Sequence, residues 1–393
     1  MSKESVVILD GARTPMGGLN GCLSPVSAPE LATTAIKAAV ERSGVDGADV
    51  DEVFMGCVLP AGLKQCPARQ SAIGAGIPKS TGAVTLNKAC GSGMQATIFG
   101  YDSIMAGTNK VVITGGMESM TNAPHLLLGA RGGVRTGHGQ MYDHMFLDGL
   151  EDAYTGRAMG SFAQETADER GLTREDMDAF AIESLTRAKN AIDNGALDAE
   201  TAPVTVVTRK GETVIKDDEQ PHKAALDRIP KLRPAFAKEG TITAANASSI
   251  SDGASALVLM SGSEAEQRGL SPMARIVGHA RHSQEPAEFT IAPIGAMEKL
   301  FASTGWSKDD VDLFEINEAF AMVTMLAMRD LGLDHDKVNV HGGACAQGHP
   351  IGSTGSRIIV SLMYALKKYG KKRGVAALCI GGGEATAVAI EML

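Results

Sequence analysis

Residues 87–118 read NKACGSGMQATIFGYDSIMAGTNKVVITGGME, and two later stretches repeat their plan: NVHGGACAQGHPIGSTGSRIIV over 339–360 and VAALCIGGGE over 375–384. In the first copy a loop from Asn87 to Gly93 opens an amphipathic run that continues through Ala106 and stops at Gly107. An apolar strand follows, Val111-Val112-Ile113-Thr114, and then Gly115-Gly116-Met117-Glu118. In the second copy the loop Asn339 to Gly343 precedes a helix from about Gly352 to Lys368, then a strand, Val375 to Ile380, and then Gly381-Gly382-Gly383-Glu384. Further out, Pro29–Val58 has a counterpart in Ala292–Ala321. Each reads as a helix, a turn with glycine (Gly44, Gly305) and an acidic-apolar strand. The two series keep one order about 260 residues apart, which marks an internal duplication.

The duplication predicts an α/β protein of two βαβ-rich halves with mostly parallel strands. The wholly apolar strands VVIT and VAALCI call for sheets covered on both faces. Right-handed crossovers let loops from the two halves converge, so a site is expected at their junction. Between the halves, Thr121–Thr208 breaks the plan. Its Leu126–Gly149 part is rich in Gly and Met and lacks clean periodicity; a lid, an oligomer contact and a plain surface excursion all fit it. A helix is predicted over Met177–Ile192, with Met177, Phe180, Ala181, Leu185 and Ala188 on one face.

Composition removes several function classes. The net charge of −9 opposes attraction to nucleic acid or an anionic membrane, and 4% aromatics leave few surfaces on which bases could stack. An anionic ligand needs a local basic patch, and Arg209, Lys210, Lys216, His222, Lys223, Arg228, Lys231, Arg233 and Lys238 crowd one stretch. No stretch approaches the ~20 apolar residues of a membrane span. The six cysteines form no C-x-x-C pair, so no zinc site is expected and the thiols read as free, in a reducing, cytoplasmic compartment. The N-terminus shows no apolar signal region.

Four motifs bear chemistry. Cys90 lies between the predicted strand Val84–Leu86 and a helix start, where the positive end of the helix dipole favours thiolate; an inert cysteine at a tight turn is the competing reading. His349, in Gly348-His349-Pro350, is a general base or oxyanion donor, or a histidine that caps backbone groups. Asn317 and Glu318, after a repeat strand, point into the junction if that strand is parallel; Asn317 also reads as a helix N-cap. Cys379-Ile380-Gly381-Gly382-Gly383 lacks the G-x-G-x-x-G spacing and room for a further βαβ unit, so a dinucleotide site is a weak reading.

With Asn87–Ala96, Gly115–Pro124, Lys231–Phe236, Thr241–Gly253, Asn317–Ala321, Gly342–Gly355 and Cys379–Gly383 in colinear order, the chain resembles the thiolase family, of the biosynthetic acetyl-CoA acetyltransferase type, over its whole length. The resemblance implies an α-β-α-β-α layered fold. Its N-terminal half covers residues 1–120 plus 247–271, an inserted loop domain 121–246, and a C-terminal half 272–393. It implies that Cys90 accepts the acyl group, that His349 activates Cys90 and later donates to an oxyanion, and that Cys379 takes the α-proton of the second acyl-CoA. Asn317 would orient a water in the first oxyanion hole, and the N–H groups of Cys90 and Gly381 would form the second. Phe236, Ser248, Ala319, Phe320, Met159 and Phe289 would contact the substrate. Acetyl-CoA, CoA and 3-ketoacyl-CoA would be substrates, with no metal or redox cofactor, and Leu126–Leu150 would build a homotetramer from dimers.

There are departures. Where many family members have a His-Met-Gly triplet this chain has Ala158-Met159-Gly160, Phe289 stands for a second acyl-pocket methionine, and Pro221 for an arginine near the nucleotide. A β-ketoacyl-synthase-like enzyme would place a second histidine where this chain has Cys379 or Asn317, and a non-catalytic carrier on the same scaffold would have lost a catalytic residue.

Overall fold

The computed structural model describes residues 4–393. Nine strands are β1 (Val6–Arg13), β2 (Glu52–Gly56), β3 (Gly82–Leu86), β4 (Val111–Ser119), β5 (Ser251–Ser261), β6 (Ala274–Ser283), β7 (Leu313–Ile316), β8 (Arg373–Ile380) and β9 (Glu384–Met392). With the short strand Gly17–Gly18 on β5, they form a ten-stranded sheet in the order β7-β8-β9-β6-β1-β5-β4-β2-β3. Its middle is thin: β1 meets β6 only through Val6–Ile8 against Ala274–Ile276. On either side of that seam lie two related half-sheets.

The expectation of mostly parallel strands fails. Only β2 with β3 and β4, and β7 with β8, run parallel; the other pairs are antiparallel. In the C-terminal half the cause is local. Gly382 and Gly383 take φ of 91° and 83°, which turns the chain straight back from β8 into β9. In the N-terminal half β5 returns from the inserted segment against β1 and β4.

The helices sort into three layers. Helices α1 (Ala28–Ser43) and α2 (Pro67–Gly74) cover the outer face of the N-terminal half-sheet, and α3 (Ser92–Met105) covers its inner face. The insertion carries α4 (Met159–Glu169) and α5 (Arg174–Asp193), the latter holding the predicted 177–192 helix. Helix α6 (Ala292–Thr304) covers the outer face of the C-terminal half-sheet beside α7 (Ala321–Leu331). Helix α8 (Ile351–Tyr369) lies against α3 and touches β4 and β5 of one half and β7 and β8 of the other. The order is therefore helix, sheet, helix, sheet, helix. The two halves use one helix grammar. Proline stands in the first turn (Pro29, Pro293), where its missing N–H is no loss, and a left-handed glycine ends the helix (Gly44 at φ 70°, Gly305 at φ 74°).

The middle layer sets the site. Every residue of α8 from Ile351 to Leu366 is buried, in a core shared with Met94, Ile98, Leu257, Leu259, Leu378 and Ile390. Helices α3 and α8 cross at glycines. A Cβ on Gly93 would fall 2.6 Å from Ser356 Oγ and 2.7 Å from the Ser356 backbone nitrogen, and a Cβ on Gly355 would collide with the Met94 backbone. The crossing holds the N-terminal ends of the two helices, and the loops that enter them, side by side.

Candidate active site

The loop into α3 carries Cys90. Ala89, just before it, has φ of 43°, a left-handed conformation that costs a residue with a Cβ roughly 1–2 kcal/mol. The turn is held by neighbours: the Ala89 N–H donates to Asn87 Oδ1 at 2.8 Å, the Lys88 N–H to Ser92 Oγ at 2.8 Å, and Ser92 Oγ to Ala89 O at 2.7 Å. The Lys88 ammonium is ion-paired with Glu384 of the other half. Strain kept at a reactive residue by surrounding bonds is a mark of functional sites.

From the other half, the loop into α8 brings His349. Its backbone N–H donates to Ser251 Oγ and Ser249 O, each at 3.2 Å. Its Nδ1 lies 2.6 Å from Thr354 Oγ1, and its buried Nε2 has no partner among the described residues. The end of β8 brings Cys379, and the turn after it brings Gly381, whose N–H points at the Cys90 sulfur. Cys90, His349, Cys379 and Gly381 line one cavity of about 380 Å³.

The remaining wall is apolar. Phe236, Ser248, Ala319, Phe320, Met159 and Phe289 all line it, so every expected site residue except Asn317 meets there. Phe320 sits between Phe236 and Phe289 in edge-to-face contacts, with ring centroids 6.1 and 6.4 Å apart. Gly160 gives the Phe236 ring its room, since a Cβ there would run into it. Met120, Phe146, Leu150, Ile250 and Ile351 also line it. No motif singled them out, because an apolar residue beside a cavity reads in sequence like one in a core.

Asn317 is buried just past β7. Its N–H donates to Ala377 O at 3.0 Å, and neither side-chain amide atom has a partner among the described residues. It is not a helix cap: α7 starts at Ala321, with Phe320 in the cap position. Glu318 also departs from expectation. Its carboxylate accepts from Ser184 Oγ (2.7 Å), Asn339 Nδ2 (2.8 Å) and the Cys345 N–H (3.1 Å), and so fastens the loop before His349 instead of facing the cavity. Glu118 closes the duplicated Gly115–Glu118 stretch, and no role was expected of it. Fully buried, it accepts from the N–H groups of Val58, Leu59 and Gly352 at 2.9, 3.0 and 2.9 Å, and so ties the first turn of α8 to the other half. The duplication pairs it with Glu384, which was the available signal. Burial raises its carboxyl to about 7 against the pull of those three donors.

The electrostatics describe a neutral resting site. Burial pushes the Cys90 thiol up to about 11, opposed by the Gly381 N–H. Burial, and then the neighbouring Cys90, push Cys379 well above the usual thiol range. Burial, and then the Arg357 charge, hold the His349 imidazole down to about 3. A preformed thiolate–imidazolium pair is therefore disfavoured, and burial outweighs the bias toward thiolate expected at the helix start.

A second cavity of about 270 Å³ shares Ala244 and Ser249 with the first and is bordered by Lys223, Arg228 and Cys345. Lys223 is ion-paired with Glu219, whereas Arg228 forms no ion pair among the described residues.

Comparison with known proteins agrees along the full chain. Residues 6–263 match the family model for the thiolase N-terminal domain and residues 270–392 that for the thiolase C-terminal domain. An acetyl-CoA acetyltransferase of Rhizobium meliloti is 47% identical over 394 residues, covering 100% of both chains. A probable acetyl-CoA acetyltransferase of Dictyostelium discoideum is 46% identical over 391 residues, 99% of this chain and 94% of its own. The crystal structure of the Bacillus anthracis acetyl-CoA acetyltransferase superposes with a TM-score of 0.97 at 40% identity, covering 100% of this chain and 99% of its own. That of the Ascaris suum Acat5 thiolase in complex with coenzyme A gives 0.94 at 41%, covering 99% and 100%. Matched in both of its halves and over its whole length, the chain belongs to the thiolase family.

Proposed function

We propose that this protein is an acetyl-CoA C-acetyltransferase that joins two acetyl-CoA molecules into acetoacetyl-CoA and CoA, and runs the reverse thiolysis. The observation that carries this reading is the meeting of two thiols, an imidazole with a free Nε2 and the Gly381 N–H in one apolar cavity, from loops of both halves. In the first step the Cys90 sulfur attacks the acetyl carbonyl, its proton passes to His349 Nε2, and CoA leaves as the thiol with that proton. The developing oxyanion is met by the N–H groups of Cys90 and Gly381. In the second step Cys379 passes its own proton to His349 Nε2 and, as the thiolate, takes a proton from the methyl group of a second acetyl-CoA. The enolate oxygen is met by His349 and a water held on Asn317, and the α-carbon attacks the thioester on Cys90. Cys90 leaves as a thiolate and recovers a proton from His349 Nε2, which restores the neutral site.

The unpartnered amide of Asn317 suits a water-holding role. CoA would run past Phe236, Ser248 and Ala319 to the second cavity, with Arg228 free for its phosphates. The CoA carried by the Ascaris suum thiolase supports that ligand class. Phe289 narrows the acyl end, which favours acetoacetyl-CoA over long-chain 3-ketoacyl-CoA. We also propose that 121–246 acts as the insert between an N-terminal half (1–120 with 247–271) and a C-terminal half (272–393), and that its Leu126–Leu150 stretch joins dimers into a homotetramer. Exposed Leu127, Leu128, Val134, Met141 and Tyr142 support that contact. Six free cysteines fit a reducing, cytoplasmic setting.

The test is thiolysis of acetoacetyl-CoA by CoA, followed by loss of enolate absorbance, in the wild type and in Cys90→Ser. A rapid wild-type reaction that falls by on the order of a thousandfold in C90S supports the proposal. An unchanged rate in C90S refutes it, and faster cleavage of 3-ketohexadecanoyl-CoA than of acetoacetyl-CoA refutes the short-chain preference.

A further inference from the structure

We propose that Thr354 is a positioning residue that fixes the tautomer of His349, so that Nε2 offers a lone pair to Cys90. The inference rests on the acyl-transfer reading above. It starts from a count of hydrogens. Thr354 lies in the first turn of α8 and is completely buried. Its Oγ1 is 3.0 Å from Pro350 O, one turn back, and 2.6 Å from His349 Nδ1. Pro350 O, which also accepts the N–H groups of Ser353 and Thr354 at 2.9 and 3.0 Å, can only accept, and a Thr354 hydroxyl turned to it keeps its lone pairs for His349. What Thr354 offers His349 is then a lone pair, which only an N–H at Nδ1 can use. A neutral ring with its proton on Nδ1 has none on Nε2, and Nε2 is the atom left without a protein partner at the cavity.

The partner's chemistry matters as much as its place. A carboxylate at this position would orient the ring but would also stabilise imidazolium. Among the described residues no carboxylate is bonded to the ring; burial and the Arg357 charge both oppose protonation. A hydroxyl anchored to a carbonyl orients the ring without adding charge. His349 therefore acts as a base that takes the Cys90 proton only in passing and returns it to the departing CoA sulfur. Thr354 touches neither substrate nor sulfur; it acts through the imidazole.

Rapid-quench measurement of Cys90 acetylation by acetyl-CoA in the wild type, Thr354→Ser and Thr354→Val tests this. Thr354→Val keeps the volume and removes the acceptor; Thr354→Ser keeps the acceptor and removes a methyl. Acetylation in T354V is expected to slow on the order of tenfold or more, with kcat falling alongside and KM for CoA within twofold of wild type. T354S is expected to recover to within about threefold of wild type. If T354V does not fold, Thr354→Ala carries the same expectation. Acetylation of T354V at the wild-type rate overturns the proposal, as does a T354S variant as slow as T354V. A wild type acetylated elsewhere than on Cys90 overturns the acyl-transfer reading and this inference with it.

Discussion

Ala89 adopts the left-handed conformation that glycine takes at low cost, one residue before the proposed nucleophile. Nothing in the string Asn87-Lys88-Ala89-Cys90 announces that turn, because an alanine there reads as neutral; only the bonds from Asn87 and Ser92 explain how it is kept. Replacing Ala89 with glycine should raise the melting temperature or leave it unchanged, and Ala89→Val should lower it, since a β-branched residue tolerates positive φ least. A thermal melt of the two variants checks this; equal melting temperatures would argue against the strained turn. His349 gives a pH prediction at the same scale. Its folded value near 3 lies below its ordinary 6.5, so the unfolded chain binds the extra proton in between. Stability is unaffected by this group above about 6.5 and declines as pH falls from there toward 3. Between pH 7 and pH 5 the wild type should lose melting temperature more steeply than His349→Asn, which cannot titrate. Parallel declines would contradict the neutral, buried imidazole.

Among the elements, the crossing of α3 and α8 decides whether two distant loops share a cavity. Gly93→Ala should cost about 1–3 kcal/mol by overpacking, because backbone of α8 stands in the way and cannot rotate aside as a side chain can. Activity should fall with it, since the same displacement separates Cys90 from His349. Chemical denaturation with a thiolysis assay would show both losses; full activity at wild-type stability would contradict the tight crossing. Much at this scale was legible in sequence: the duplicated helix–strand order, the helix ends at Gly44 and Gly305, and the apolar strands later found to be covered on both faces. Strand direction was not. Parallel pairing was inferred from βαβ order, but the turn at Gly382–Gly383 and the return of β5 make most neighbours antiparallel. The reciprocal ties between halves, Glu118 to Gly352 and Glu384 to Lys88, follow from no single motif, although the duplication sets the two glutamates in register.

Over the whole molecule, the duplicated halves supply opposite sides of one site: Cys90 from the first, His349, Cys379 and Gly381 from the second. The motifs proposed as catalytic stand out in sequence because each pairs a reactive side chain with glycines at a loop, whereas the apolar wall does not, since Met120, Leu150 and Ile351 carry no pattern of their own. The exposed apolar residues of 127–146 lead to an assembly prediction. Light scattering at micromolar concentration should report a tetramer, and Met141→Asp with Leu128→Asp should reduce it to dimers; a wild-type monomer would defeat the assembly proposal. The most direct test of the shared site is peptide mass spectrometry of Cys379→Ser after incubation with acetyl-CoA. The account predicts one acetyl group, on the peptide that contains Cys90, and no acetoacetyl-CoA formed. Acetylation on Cys66, Cys345 or no cysteine, or condensation at the wild-type rate, would contradict it.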